Sequence, residues 1–593
     1  MMRAPLRPLA RILEARAKGE NPDAIERENR RLRHEATRDR ARARAEGRLA
    51  VLALVVTLAF GAVGARMGSL AAVDPAEPQT AGGASSIVAQ RADIVDREGR
   101  LLATNLLTHA LYAQPALMVD PERSAAELAE IFPDLDPVRL AIDFTGKRKF
   151  LWIKKKISPE QMQKVHEIGD PGLLFGPREM RLYPNGAIAA HILGGAGFGR
   201  EGVDSAEVIG TAGVEKTFDA WLRDPANGGA PLQLTIDLSV QSAVEDVLSG
   251  GMHLMNAKGA AAILMDARTG DIVALASLPD FDPNTRPQPL VKGDAGDSPL
   301  FNRAVQGVYE LGSTFKIFAV AQALDLGLVS PSSMVDTKEP YYFGKFKITD
   351  FHYYGPELSV RDVIVKSSNI GTAHIALMLG KTRQQAFLKS LGFFEPTPVE
   401  LVEAPGAKPL LPKKWADIST LTISYGHGLS ASPLHLATAY AAIANGGVTV
   451  TPTLIRQASH PEGRRVMSEK TARIAREMLR GVVTEGTATM GDVPGYEVAG
   501  KTGTADKPKP GGGYYDDKVI TTFAAMFPAS DPRYVLVVSL DEPVETSGTE
   551  PRRTAGWTAV PVAAEIIRRA APLLGLRPLV EPPAADKVTL VSN

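Results

Sequence analysis

Residues Leu49–Ala65, LAVLALVVTLAFGAVGA, carry no charge at all, and this run restricts the fold more than any other feature of the chain. As a helix its roughly 17 residues reach about 26 Å, a little short of the ~30 Å apolar thickness of a bilayer. The weakly polar residues Met67–Ala72 can lengthen it, and Arg66 can reach for a headgroup along its own stem. A buried core helix of this length would show a polar face, and this one shows none. A cleaved signal peptide would follow a short basic leader, whereas about 48 residues precede the run. The expectation is an uncleaved membrane anchor over residues 49–67. Arg38, Arg40, Arg42, Arg44 and Arg48 stand just before it. Positive charge stays on the cytoplasmic side, so residues 1–48 form a basic cytoplasmic leader and everything after Arg66 lies outside. The leader mixes Glu with Arg, which suits a solvated helix or no fixed structure.

The chain has 593 residues, enough for two or three folded units. Its formal net charge is zero, which argues against a nucleic-acid-binding role. Cysteine is absent, which excludes disulfides, thiolate catalysis and Cys-type zinc sites. Residues 68–86 read as a linker rich in Ala, Pro, Gly and Ser. Residues 87–231 alternate short β-like runs with charged turns and read as a pedestal domain without catalytic constellations. Residues 232–576 differ. Gly259–Asp266 and Asp271–Ser277 are apolar strands joined as a hairpin, and Ser239–Leu248 precedes them as a helix capped by Asp237 or Ser239. A helical insert follows, with helices predicted over Thr314–Leu326 and after Ser359, where Asp362 completes a capping-box-like start. Strands return at Val498–Ala505, Ile520–Phe527 and Tyr534–Leu540, and a helix closes at Val560–Leu574. This order predicts an α+β architecture, an antiparallel sheet with helices on its faces. Residues 577–593 read as a flexible tail.

Three short motifs stand in order within that region: Ser313-Thr314-Phe315-Lys316, Ser367-Ser368-Asn369 and Lys501-Thr502-Gly503-Thr504. The patterns Ser-x-x-Lys, Ser-x-Asn and Lys-Thr-Gly each occur once in the chain. A serine hydroxyl becomes a nucleophile only when a base removes its proton. Three residues apart on a helix, Ser313 and Lys316 share a face. Lys316 can act as that base if burial and a neighbouring positive charge, such as Lys501, lower its pKa. Backbone N–H groups at the start of Ser313's helix suit a developing oxyanion. Ser367 can relay a proton to a leaving amine, and the Asn369 carboxamide can orient a substrate amide or Lys316. Lys501 beside the hydroxyls of Thr502 and Thr504 suits a substrate carboxylate, and Gly503 permits close backbone approach. The ten histidines show no ligand spacing, so neither a metal site nor a cofactor is expected. His427, between two glycines, reads as structural.

At these motifs the sequence resembles the class B penicillin-binding proteins. The resemblance extends to Asn302-Arg303-Ala304, to Tyr309-Glu310-Leu311-Gly312 and to Thr554-Ala555-Gly556-Trp557. In the pedestal it includes Arg91 with Asp96-Arg97 and Gly99, then Arg181-Leu182-Tyr183-Pro184 and Gly213-Val214-Glu215, and beyond it Leu234-Thr235-Ile236-Asp237 with Gln241. Two positions depart from the family pattern: Leu311 stands where proline is expected, and Ala92 where glycine is. The resemblance implies a penicillin-binding-protein/β-lactamase-like transpeptidase domain and a peptidoglycan D,D-transpeptidase activity. Ser313 would be acylated by D-Ala-D-Ala stem peptides with Lys316 as base, and the N–H groups of Ser313 and Thr504 would form the oxyanion hole. It implies β-lactams as covalent inhibitors and the cytoplasmic membrane as location. Trp152-Ile153-Lys154-Lys155 resembles the septal-division branch, which implies a septal glycan polymerase and other divisome membrane proteins as partners.

Two other activities compete with this reading. A D,D-carboxypeptidase or β-lactamase-type hydrolase would use the same serine. A class A β-lactamase, however, carries a Glu-x-x-Leu-Asn element between the second and third motifs. The only asparagine there is Asn445, in Ala444-Asn445-Gly446. A β-lactam sensor would need a signalling output domain, and the leader is too short and featureless for one. An elongation-branch transpeptidase is the remaining alternative.

Overall fold

In the computed structural model the described residues are 8–71, 91–201, 206–509 and 512–579. Most of the expected linker and the tail from residue 580 on lie outside them. One helix runs through Pro22–Ala71, and Pro8–Ala17 forms a shorter one before it. Within the long helix, Glu46–Met67 is long and apolar enough to cross a membrane and buries none of its surface in protein. Of the two alternatives for the leader, the helix is therefore observed from Pro22 onward. Pairs spaced four residues apart support it, such as Arg31 with Glu35 at 2.9 Å.

Contacts divide the chain into two compact units: Met1–Glu77, Tyr112–Ile153 and Lys164–Leu174 in one, Pro78–Leu111, Lys154–Gln163 and Phe175–Asn593 in the other. In the first, helices Pro121–Ile131 and Pro137–Thr145 pack together. Each starts with proline after an aspartate cap. Asp120 accepts the Arg123 N–H, and Asp136 accepts those of Val138 and Arg139. Tyr112, Phe150 and Trp152 form an aromatic cluster with ring centroids 5.0–5.6 Å apart.

The second unit is built on a five-stranded antiparallel sheet. Its strands are β1 (Gly259–Asp266), β2 (Ile272–Leu278), β3 (Ala499–Pro508), β4 (Tyr514–Phe527) and β5 (Tyr534–Asp541), in the spatial order β3-β4-β5-β1-β2. Every residue of β2 and β5 is buried, as is β1 up to Met265, so these strands read as continuous apolar runs without alternation. Helices cover both faces. Helix α1 (Leu238–Leu254) packs on β1 and β2 and against the closing helix Ala559–Leu573, while Pro433–Ala444 packs on β1, β4 and β5. Asp237 is the cap of α1, accepting the N–H groups of Ser239 and Val240. The helix continues six residues past the predicted Leu248 because Gly251 lets Val562 close in; a Cβ there would meet its Cγ2 at 2.6 Å. β3 and β4 also outrun their predicted ends, since their polar tips remain paired up to Pro508 and Tyr514 across a bulge. The architecture is the α+β arrangement expected.

The pedestal-like motifs converge on one buried carboxylate. Glu215 accepts from Arg91 Nε at 2.6 Å, from Arg181 Nε at 2.7 Å and from the Tyr183 hydroxyl at 3.3 Å. Arg91 also pairs with Asp219 at 2.7 Å. Residues spaced over 128 positions thus form one charge-compensated cluster inside the protein. Ala92, in place of the expected glycine, has no positive φ and donates its N–H to the Leu222 carbonyl at 2.7 Å. Leu311, in place of proline, is buried.

Candidate active site

Ser313 lies in a tight 3₁₀ turn, Gly312–Phe315, and the α-helix α2 begins only at Lys316, running to Asp325. The predicted α-helix from Thr314 is corrected by this turn. Gly312 adopts φ +55°, and a Cβ there would meet the backbone of Thr504 at 2.7–3.0 Å. The Thr314 hydroxyl donates to the Leu311 carbonyl at 2.8 Å, and Tyr440 donates to the Thr314 carbonyl at 2.8 Å. In a 3₁₀ turn residues three apart eclipse, so Ser313 and Lys316 still face the same way. Glu310, at the start of this segment, accepts from the Gly428 N–H at 2.7 Å and the Tyr514 hydroxyl at 3.1 Å, tying the turn to a loop and to the start of β4.

Lys316 is buried, and its ammonium reaches the second motif rather than Ser313. Nζ donates to the Ser367 carbonyl and to Ser367 Oγ, the latter at 3.0 Å. Lys501 is equally buried and donates to the same Ser367 Oγ at 2.9 Å, to the Thr502 carbonyl at 3.2 Å and to Thr502 Oγ1 at 3.3 Å. With both lone pairs of Ser367 Oγ engaged by lysines, its own O–H is the bond left for another acceptor. Ser367 holds this position at φ +64°, a conformation serine rarely adopts.

Among the described residues neither lysine has a carboxylate within ion-pair distance. Burial pushes Lys316 down to about 7, opposed by the negative charge of Asp350. Burial, and then the charge of Lys316, push Lys501 down as well. Burial is therefore the cause that lowers Lys316, and the neighbouring charge that bears on it, that of Asp350, acts in the opposite sense to the positive charge the motif spacing suggested. Two buried lysines with no carboxylate within ion-pair distance form a site whose protonated form favours a bound anion.

The third motif occupies β3, whose far edge faces the Ser313 turn. Gly503 sits where a Cβ would be 2.2 Å from the Leu311 carbonyl oxygen, so only glycine allows strand and turn to approach this closely. Thr502 is buried, its hydroxyl 2.7 Å from that of Thr487. Thr504 is half-buried, and its Oγ1 accepts the Ala555 N–H at 3.0 Å, leaving the hydroxyl proton available. Asn369 begins helix α3 (Asn369–Leu379), and its carboxamide donates to the Thr349 carbonyl at 2.9 Å; it does not touch Lys316. Residues that sequence reasoning missed complete the surroundings: Asp350, Thr487 and Tyr440. No local pattern marks them, because each meets the site from a segment remote in the chain. The His427 ring stacks at an angle near Tyr425, with centroids 5.6 Å apart. Among the described residues no three His, Asp or Glu side chains gather as a metal would require.

A serine-bearing turn, two buried lysines and a bridging serine stand together beside a sheet edge. Residues 260–568 match the penicillin binding protein transpeptidase domain, and residues 86–229 match the penicillin-binding protein dimerisation domain. The chain is 37% identical over 562 residues to a probable peptidoglycan D,D-transpeptidase FtsI of Caulobacter vibrioides, covering 92% of each. It is 30% identical to the peptidoglycan D,D-transpeptidase FtsI of Escherichia coli K12, over 76% of this chain and 79% of that one. The crystal structure of penicillin binding protein 3 from Mycobacterium tuberculosis in complex with aztreonam superposes with a TM-score of 0.63. It is 27% identical and covers 83% of this chain and 98% of that one. The chain belongs to the penicillin binding protein transpeptidase family.

Proposed function

We propose that this protein is a peptidoglycan D,D-transpeptidase of septal wall synthesis, anchored by residues 49–67 with residues 1–48 in the cytoplasm. Residues 87–231 would serve as the pedestal and 232–576 as the catalytic domain. The observation that carries the reading is Ser367 Oγ held between Lys316 and Lys501 beside the Ser313 turn. Neutral Lys316 takes the proton of Ser313 as its Oγ attacks the carbonyl of the penultimate D-alanine of a stem peptide. The tetrahedral oxyanion is met by the N–H groups of Ser313 and Thr504. The proton passes through the Ser367 hydroxyl to the leaving nitrogen, the C–N bond breaks and D-alanine departs. The amine of a neighbouring stem then attacks the ester, and Ser313 regains its proton. Lys501, Thr502 and Thr504 hold the terminal carboxylate and Asn369 the peptide amide. A β-lactam follows the first half alone, since its leaving nitrogen stays tethered. The FtsI relatives and the Trp152-Ile153-Lys154-Lys155 run support the septal branch, with a glycan polymerase and other division proteins as partners.

The test is a labelled-penicillin gel on membranes containing the wild-type chain or Ser313→Ala. Covalent label on the wild type alone is expected, persisting for many minutes after excess is removed. Label on Ser313→Ala would remove Ser313 from the chemistry. Release of label in multiple turnovers per second would make the enzyme a hydrolase.

A further inference from the structure

Seven of the 20 residues 337–356 are Phe or Tyr, in a chain with 6% aromatic residues. The only Leu, Ile, Val or Met among them, Ile348, is buried. The segment leaves and re-enters the fold at one place, where Thr337 donates its N–H to the Pro356 carbonyl at 2.8 Å and its hydroxyl to the Gly355 carbonyl at 2.9 Å. Between these ends Tyr341–Phe343 and Phe346–Ile348 form a hairpin. Ile348, with Tyr341 and Phe343 beside it, packs on Ile370 and Ala373 of α3 and on Leu421. The other rings are left out of that contact. Tyr342, Phe346, Phe351, Tyr353 and Tyr354 are all exposed, Phe351 by 79% and Tyr353 by 59%. Folding gains nothing from rings left in water, and a contiguous exposed patch of them marks a contact surface.

The run Phe351-His352-Tyr353-Tyr354 is held beside the second motif at both ends. Just before it, Asp350 accepts the N–H groups of Asn369 and Ile370 at 2.6 and 3.0 Å. At its far end Lys366, the residue preceding Ser367, sets its Nζ 5.2 Å from the centre of the Tyr354 ring. Within the run the His352 ring meets Phe351 edge-on at 4.7 Å and Tyr354 at 6.1 Å, so three rings brace one another. The chemistry of this row suits a sugar. A pyranose is apolar on its faces, where C–H groups carry partial positive charge, and polar around its rim. Aromatic faces, negative in their quadrupole, match the C–H face, while the Tyr hydroxyls, the His352 nitrogens and the Lys366 ammonium offer partners to the rim hydroxyls. An acyl chain or an apolar protein anchor is buried against aliphatic neighbours, and the segment exposes none. The row is also continuous with the site where a stem peptide would react, and the stem is carried on a sugar. Fully extended, about four residues span at most about 14 Å, so the sugar follows the reacting carbonyl at that range.

We propose that Phe351, Tyr353 and Tyr354 form a stacking platform for the glycan, taking an N-acetylated amino-sugar pyranose of the strand that bears the reacting stem. This rests on the transpeptidase reading. It adds a contact to the sugar to the peptide contacts of the three motifs.

The experiment titrates full-length protein with tetra-N-acetylchitotetraose in a calorimeter, in a detergent without a sugar headgroup. This probe carries neither peptide nor charge. Wild type is compared with the double variants Phe351→Ala with Tyr353→Ala and Phe351→Leu with Tyr353→Leu, with thermal melts alongside. Both rings are exposed, so both variants are expected to melt with wild type. Leucine returns apolar bulk without a ring face. Wild type is expected to bind the sugar, and both variants to bind it roughly tenfold more weakly or worse. A leucine pair that binds as tightly as wild type overturns the stacking, and that result stands even if the alanine pair fails to fold. An alanine pair unchanged from wild type overturns the platform as well. So does a wild type that binds no sugar, which would leave the rings to a protein partner. Labelled penicillin is then added to the same wild-type preparation. Label without sugar binding refutes the platform alone, whereas absence of label refutes the underlying transpeptidase reading separately.

Discussion

Replacing Gly503 by alanine tests whether the contact between strand and turn sets the reactivity of Ser313. The added methyl would lie 2.2 Å from the Leu311 carbonyl oxygen and 2.9 Å from Thr314 Cγ2. Heavy atoms rest at about 3.5 Å, so β3 and the Gly312–Phe315 turn must part by roughly 1 Å. The backbone at Gly503 is outside the left-handed region, so alanine meets a problem of space alone. Overpacking of this size costs about 1–3 kcal/mol, which a domain with this large a core survives. A displacement of about 1 Å between reacting groups, however, costs on the order of 100-fold in rate. The two consequences separate in one protein preparation. Gly503→Ala is expected to melt within several degrees of wild type and to be acylated by fluorescent penicillin about 100-fold more slowly in a stopped-flow measurement. Acylation within threefold of wild type would refute the claim that this approach positions the serine.

The acylation rate should fall about tenfold per pH unit below the Lys316 value of about 7, because the protonated amine cannot take the Ser313 proton. The same shift makes stability rise with pH between about 7 and the ordinary lysine value of 10.5, where the unfolded chain holds a proton the folded one does not; stability is lost as pH falls through 7. A rate profile flat from pH 5 to 8 would count against Lys316 as base. In the pedestal, Glu215→Ala leaves Arg91 and Arg181 buried and without their shared carboxylate, and should cost roughly 3–5 kcal/mol in urea unfolding; a loss under about 1 kcal/mol would show that the cluster is not held by charge.

The sequence exposed what depends on local order. The apolar runs of β1, β2 and β5 were legible because burial on both faces removes the alternation that would otherwise confuse them with half-exposed strands. The motif residues were legible because Ser-x-x-Lys and Lys-Thr-Gly are spacings along one element. Lost from view were the groups that act across elements. Asp350 caps a helix 19 residues on through a loop, and nothing in its neighbours Thr349 and Phe351 announces it. The start of α2 was misjudged because the 3₁₀ turn lies close against β3, Gly312 against Thr504 and Gly503 against Leu311, contacts between residues 192 positions apart. Glu215 gathers three motifs whose separate meaning in the sequence was only resemblance; their shared physical role as one ion cluster needed coordinates.

The sheet order also has a consequence measured in seconds. β1 lies between β2 and β5, and Asp266 pairs with Tyr534. On a ribosome adding roughly 5–20 residues per second, the β1–β2 hairpin is complete some 13 to 50 seconds before β5 exists. Through that interval an apolar strand shows an open edge and one uncovered face, α1 having been made before it to cover the other, the condition under which strands pair with the wrong chain. The helical insert, made during the same interval, can cover one face early, since Pro433–Ala444 packs on β1. The edge stays open until residues 534–541 arrive. Lys501 comes earlier, but β3 joins the sheet only through β4 and β5. Reactivity toward penicillin should therefore appear late and all at once, after residue 541 has been added, and so can serve as a clock for the end of folding.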